Sequence, residues 1–435
     1  MGNKTWKIWI VLAGIILTAA VVLGVLYSRG FFYKSIPIEL TQMGLTAQMK
    51  EYVQDKHQER KERGETIFLD RSVVFGKSSE LLGKSSDVYM CSWYLLSGGT
   101  TVQPAEQSAY YLCEDQILLA NAWIELGEKA EARKLLHAIY EDFGKENGYL
   151  SEMIEITEVE KNTKITDTYD DFYDRLGKYG RSVKYINAWF RYYKKWGTGS
   201  DWRTIKKIAE ELIPIQKSFP EDFPIEGTFK KYVDKPQSAT RPETFFSESV
   251  GLAGLMPETM EIFIHLDQEY NGISQQADAI LAGGQISKEV PLYAIGYQNE
   301  SGSYFYSNQI ANHVDLKSSL YIMNELAKQG ELEDVSIQWL KKQLYTSAGF
   351  VEKYEIISGV PVQTQESVES YGIVMQIARI IEDDNLYALG FDKLINRLAT
   401  HSQSSARGAI YRTTEDGRIL IRARDNLEAV IGLGE

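Results

Sequence analysis

Paired amphipathic helical periods, each broken by a glycine or a polar turn and then resumed, constrain this chain more than any other feature of its sequence. Leu119, Ala122, Trp123 and Leu126 fall at i, i+3, i+4 and i+7; Gly127 interrupts, and Ala132, Leu135, Leu136, Ile139 and Phe143 take the period up again. That is a helical hairpin. Ile186, Trp189, Phe190 and Tyr193 repeat the pattern, with a break over Trp196, Gly197, Thr198 and Gly199 and a second stripe at Ile205, Ile208, Ala209 and Leu212. A third copy runs from Leu320 and Met323 through Gly330 to Ile337, Leu340 and Leu344. The fourth joins Tyr371, Val374, Met375 and Ala378 through Asp383 and Asp384 to Phe391, Leu394, Ile395 and Leu398, and a weaker copy is expected near Ser249.

The hairpins recur roughly every fifty to seventy residues, longer than the repeats of open solenoids. Long connections, such as 144–181 and 219–247, therefore separate them and are expected to carry function. The predicted fold is all-α: a closed α/α toroid of five or six hairpins whose inner helices line a groove, with an open solenoid as the competing architecture. A minor β contribution is expected over 409–423, where Glu415, Asp416 and Gly417 suit a hairpin turn.

The run from Ile8 to Tyr27 carries no charge and is long enough as a helix to cross a bilayer, with Trp6, Trp9 and Tyr27 near its ends. Leu26, Tyr27 and Ser28 form a poor cleavage site, so an uncleaved anchor is expected rather than a signal peptide. The sequence then divides into an N-terminal transmembrane helix at 1–28, a helical or stalk connector at 29–66, and a domain at 67–435 lying outside the cytoplasm on a single-pass anchor.

A net charge of -13 and a pI near 5.1 argue against nucleic acid as a partner, since that affinity comes mostly from Lys and Arg. Cys91 and Cys113 are expected as two buried thiols, and the five histidines lack metal-ligand spacing, so neither a structural metal nor a cofactor is expected. Gly76, Lys77, Ser78 and Gly83, Lys84, Ser85 miss the spacing of a phosphate loop.

Three segments carry a resemblance. Cys113, Glu114, Asp115, Gln116, Ile117, Leu118, Leu119, Ala120, Asn121, Ala122 and Trp123, followed by Leu126, Gly127 and Glu128, resemble the first acidic motif of glycoside hydrolase family 8 and related six-hairpin glycosidases. The helix from Ala188 to Lys195 followed by Trp196 and Gly197 is similar to that family's Trp-Gly helix, and Ser303, Tyr304, Phe305 and Tyr306 to an aromatic segment ahead of its base. Arg424, Asp425, Asn426, Leu427, Glu428 and Ala429 resemble bacterial membrane-tethered relatives associated with exopolysaccharide loci. The resemblance implies a toroidal fold and glycoside hydrolysis by a protonated acid and a second carboxylate. It makes Glu114 the candidate general acid; Asp315 is the candidate base, and Asp115, Asp171, Trp189, Tyr304, Tyr306 and Glu369 are the candidate substrate contacts, the aromatic rings as stacking platforms.

Read as residues alone, Glu114 and Asp115 are also acids of a helix first turn, Asp315 a helix cap, Asp170 and Asp171 part of an acidic loop, and Glu366 and Glu369 acids that open a helix. The chain also departs from the family pattern. Ser182, Val183 and Lys184 stand where an Asp-Xaa-Asp element is expected, and Asn308 offers an amide near the base. Three functions follow: a membrane-anchored glycosidase acting on an exopolysaccharide, an inactive relative that binds the glycan, or a helical scaffold in a polysaccharide synthesis or secretion complex. Polysaccharide, membrane and a synthase complex are the expected partners.

Overall fold

The computed structural model describes residues 69–434, apart from 84–87, 97–105, 145–149, 156–171, 218–248, 253–254, 257–260, 263, 266–269, 299–301, 307–312, 347–348, 363–364, 402–403 and 415–416. The apolar run 8–27, the connector, Asp170, Asp171, Asn308 and the connection 219–247 lie outside these residues. No helix among the described residues is long and apolar enough to cross a membrane.

Eleven helices are described. They are α1 (Arg71–Leu82), α2 (Cys113–Leu126), α3 (Lys129–Asp142), α4 (Phe172–Trp196), α5 (Gly199–Lys217), α6 (Tyr270–Gly283), α7 (Leu316–Gln329), α8 (Asp334–Thr346), α9 (Glu369–Ile380), α10 (Asp384–Ile395) and α11 (Ala423–Leu433). The four strong hairpins of the sequence are α2/α3, α4/α5, α7/α8 and α9/α10. Their breaks behave as their chemistry requires: Gly127 and Gly330 end α2 and α7 in the left-handed conformation that favours glycine, and Asp383 caps α10 by accepting from the Leu386 amide.

The helices sort into two layers. Nine of the eleven residues of α11, nine of the twelve of α9 and nine of the fourteen of α7 are buried, whereas α3 buries one stripe, Ala132, Leu135, Leu136 and Ile139, and α10 one face. A helix buried all round must be enclosed by others. The enclosed helices follow one another around a ring: α4 packs on α2, α2 on α11, α11 on α9 and α9 on α7, while α6 touches α7. One further pair joins the chain's two ends, because α1 packs against α11 and strand β1 (Trp93–Leu95) pairs with β11 (Ile419–Arg422), Trp93 opposite Arg422. At the tightest contact, Gly372 of α9 and Gly432 of α11 let the two backbones meet: a Cβ on Gly372 would lie 2.4 Å from the Glu428 carbonyl.

Short strands accompany the helices, so the fold is helix-dominated rather than purely α. β3 (Tyr110–Leu112), β8 (His313–Asp315) and β11 run directly into α2, α7 and α11. They pair with β4 (Met153–Glu155), β9 (Lys353–Glu355) and β1 respectively. The expected C-terminal hairpin is present as β10 (Arg412–Thr413) against β11, with Gly417 at positive φ. Near Ser249, where a weak helical copy is expected, Ser249 itself opens β5 (Ser249–Gly251), which extends the sheet of β6 (Gly296–Gln298) and β7 (Ser303–Phe305); helical residues follow at 261–262 and 264–265, ahead of α6. Cys91 and Cys113 are buried thiols.

Candidate functional site at the ring centre

Five enclosed helices send polar side chains to one cluster. α2 supplies Glu114 and Asp115 from its first turn, α4 Lys184, α7 Lys317 and Tyr321, α9 Gln376, and α11 Arg424 and Glu428. The start of α2 is pinned by buried Gln116, whose amide donates to the Met90 carbonyl at 2.8 Å and accepts from the Met90 amide at 3.0 Å. Glu114 is thereby fixed on the inward side of its turn.

Glu114 is the hub. Its Oε1 accepts from Lys184 Nζ at 3.1 Å and its Oε2 from Arg424 Nη2 at 3.0 Å, while 31% of its side chain stays open to solvent. Arg424 also spans Asp115, donating Nε and Nη2 to Oδ1 at 3.3 and 3.1 Å. Lys184 Nζ lies 4.8 Å from the Tyr321 ring centre, a cation over an aromatic face. Tyr321 in turn donates to Glu428 Oε1 at 2.6 Å, and Gln376 donates to its Oε2 at 2.7 Å.

The charges settle the protonation of Glu114. Lys184 beside it holds its carboxyl well below the usual range; burial pushes the other way, and Arg424, Arg181 and Lys317 add to the lowering. Burial instead raises Glu428, against the hydrogen bonds from Tyr321 and Gln376 and the charges of Arg424 and Lys184. Lys317 is pushed down to about 8, first by burial and then by the repulsion of Arg424, with Asp315 and Glu114 pulling it back.

Burial of Glu114 would favour a proton, but two cations bonded to the one carboxylate outweigh it. Asp315 ends β8 and stands two residues before Lys317, at the start of α7. Its Oδ1 caps α7, accepting from the Ser318 amide and hydroxyl at 2.8 Å each. Asp115 is in the cluster but 2% exposed and paired with Arg424, which makes it a support for the arginine rather than a sugar contact.

Two expected substrate contacts lie elsewhere. Trp189 is fully buried: its indole donates to the Tyr185 hydroxyl at 2.7 Å, and that hydroxyl donates to the Leu136 carbonyl at 2.6 Å, so the ring welds α4 to α3 and has no face for a sugar. Glu369 is a buried partner of Arg412, which also forms a two-pronged pair with Asp425 at 2.6 and 2.7 Å. Its place is in the wall. Tyr304 is half-buried on β7, with its hydroxyl on the Ile280 carbonyl at 2.9 Å, and Tyr306 is half-buried just beyond it.

The cluster residues that no motif assigned a role are Lys184, Lys317, Tyr321, Gln376, Arg424 and Glu428. Lys184 did leave a signal, as a cation in the position of an expected carboxylate. Lys317 left none beyond following a cap residue by two.

No known protein-family profile matches the sequence, and no curated protein does. Solved structures match in fold. A structure described as a novel alpha-amylase from Clostridium perfringens superposes with a TM-score of 0.62 at 20% identity, over 83% of this chain and 96% of that one. A family 8 xylanase from Teredinibacter turnerae, a catalytic mutant complexed with xylohexaose, superposes at 0.52 and 10% identity, over 84% and 93%. A reducing-end-xylose releasing exo-oligoxylanase complexed with xylose gives 0.50 at 12% identity, over 89% and 92%. The chain has the fold of the family 8 glycoside hydrolases.

Proposed function

We propose that this chain is a membrane-anchored polysaccharide-binding protein which keeps the glycosidase fold and has given up acid catalysis at Glu114. One observation carries the reading: Glu114 is bonded to both Lys184 and Arg424, and so stands as a carboxylate at neutral pH. Glycoside hydrolysis needs a protonated acid at the leaving oxygen. A carboxylate held by an ammonium on one oxygen and a guanidinium on the other has no proton to give. The hydrolytic reading, with Glu114 as acid and Asp315 as base, requires both cations to leave Glu114 when glycan arrives. The fold, a ring of enclosed helices around polar side chains, supports polysaccharide as the ligand; the uncharged run 8–27 supports anchoring, and the sequence 424–429 supports an exopolysaccharide made by the same cell.

The test is reducing-end release from the host's own exopolysaccharide by the full chain and by Glu114→Gln, beside a measurement of binding. Binding by both with release by neither is expected. Release by the wild type that falls a hundredfold or more in Glu114→Gln, the scale of positioned acid catalysis, would restore Glu114 as the acid and overturn the proposal.

A further inference from the structure

Both oxygens of Glu114 are held, and they are held differently. Arg424 bonds Oε2 with a planar guanidinium that Asp115 fixes in turn, at 3.3 and 3.1 Å. Lys184 bonds Oε1 with an ammonium on a flexible four-carbon stem. Such a group is free to turn away from a carboxylate whose side chain is 31% exposed, and pairs of this kind contribute little unless their geometry is fixed. Among the described residues the Lys184 ammonium has one other polar contact, the face of Tyr321, 4.8 Å from the ring centre.

Tyr321 is itself tied in place. Its helix, α7, packs on α6 and α9, yet its ring meets side chains of α4 and α11. The hydroxyl donates to Glu428 Oε1 at 2.6 Å; Glu428 is 1% exposed, and its other oxygen accepts from Gln376 at 2.7 Å. Glu428 stands four residues after Arg424 on α11, one turn further along the same face. The contacts therefore form a circuit through four helices: Arg424 to Glu114, Glu114 to Lys184, Lys184 to Tyr321, and Tyr321 to Glu428, which returns to α11.

From this circuit we infer that Tyr321 is a positioning residue: its ring face holds the Lys184 ammonium on Glu114, and its bond to Glu428 aims that face. The inference deepens the reading of Glu114 as a fixed carboxylate and rests on it. An aromatic face attracts a cation through its quadrupole, and the attraction grows where water is excluded. A leucine at 321 would fill much of the space and leave Lys184 free to turn into the groove. A phenylalanine would keep the face and lose only the bond that aims it.

The experiment follows the Glu114 side-chain carbon titration by NMR in the full chain, for the wild type, Tyr321→Phe, Tyr321→Leu, Lys184→Met and the double variant Tyr321→Leu with Lys184→Met, each first shown by its melting curve to be folded. Tyr321→Leu is expected to move the titration up and Tyr321→Phe to move it less. Once Lys184 is replaced by Met, Tyr321→Leu should move it no further. In the wild type the ε-methylene protons of Lys184, assigned by their loss in Lys184→Met, should be displaced upfield as protons over an aromatic face are, a measurement that needs no altered tyrosine to fold. A titration that Tyr321→Leu leaves in place, an equal shift from both tyrosine variants, a shift that persists beside Lys184→Met, or ε-protons at ordinary lysine positions overturns the inference and leaves Glu114 ionised. A wild-type Glu114 that titrates in the ordinary glutamate range or above it removes the fixed-carboxylate reading and this one with it.

Discussion

Replacing Lys184 by Met isolates the contact on which the functional reading turns. Lys184 and Glu114 are 3.1 Å apart, a separation at which two unit charges attract by about 1 kcal/mol in bulk water and about 5 kcal/mol at the effective dielectric near a protein surface. Their side chains are 22% and 31% exposed, which places the pair towards the screened end of that range. A double-mutant cycle of Lys184→Met and Glu114→Gln, read by urea denaturation, should return a coupling of about 1–2 kcal/mol. The sign with pH follows from the direction of the Glu114 shift. A carboxyl held down in the folded state stabilises above the ordinary glutamate range, and that stability drains as pH falls towards the folded value. Lys184→Met should therefore lose less stability on acidification than the wild type, and side-chain carbon NMR should find the Glu114 titration moved up. A coupling indistinguishable from zero, or a titration that does not move, would mean that Lys184 does not hold Glu114 ionised, and the argument against acid catalysis would lose its basis.

Further outcomes follow from the same structure. Lys317→Met should stabilise the protein at pH 7 by about 1 kcal/mol: a lysine held near 8 instead of 10.5 costs at most about 3 kcal/mol, and partial exposure reduces this. That gain should shrink as pH rises through 8 towards 10.5, because the folded lysine loses its proton first; a gain independent of pH would refute the assignment. Gly372→Ala should destabilise by about 2 kcal/mol in a urea melt, since its Cβ would meet the α11 backbone at 2.4 Å and neither backbone can rotate away. Arg412→Met, which strands buried Asp425 and Glu369 without their cation, should cost about 3–5 kcal/mol, whereas a loss below 1 kcal/mol would show that the acids find other partners. Protease added to intact protoplasts should digest the domain after residue 66; survival until lysis would place it inside the cell and end the exopolysaccharide reading.

Hairpins built from local periods were legible because a stripe such as Leu135, Leu136 and Ile139 and a stop such as Gly127 are recorded within one short window of sequence. The pair that joins the two ends of the described chain was not legible. Its helices, α1 and α11, lie at opposite ends of the described chain, and nothing in either stripe names the other as partner. Enclosed helices also lose the signal that makes a helix readable. α11 is buried on every side, so its apolar and polar residues follow the ring's contacts and not one face. Trp189 shows the converse error, since an aromatic at a helical position reads the same whether it stacks on a sugar or fills a core, and only its bond to Tyr185 decides.

The site was half legible for a related reason. Motif matching found Glu114 and Asp115, but a motif states residue types and leaves their charge state open. What decides the chemistry is the company Glu114 keeps, from residue 184 on one neighbouring helix and residue 424 on another. Where the resemblance implies a carboxylate, Lys184 reverses the local charge by two beside Glu114. The reversal removes the like charge that helps a buried glutamate keep a proton and puts a bonded cation in its place. Returning a carboxylate there, Lys184→Asp, should therefore raise the Glu114 titration in side-chain carbon NMR, and a titration that stays where it is would show that Arg424 alone holds Glu114 ionised.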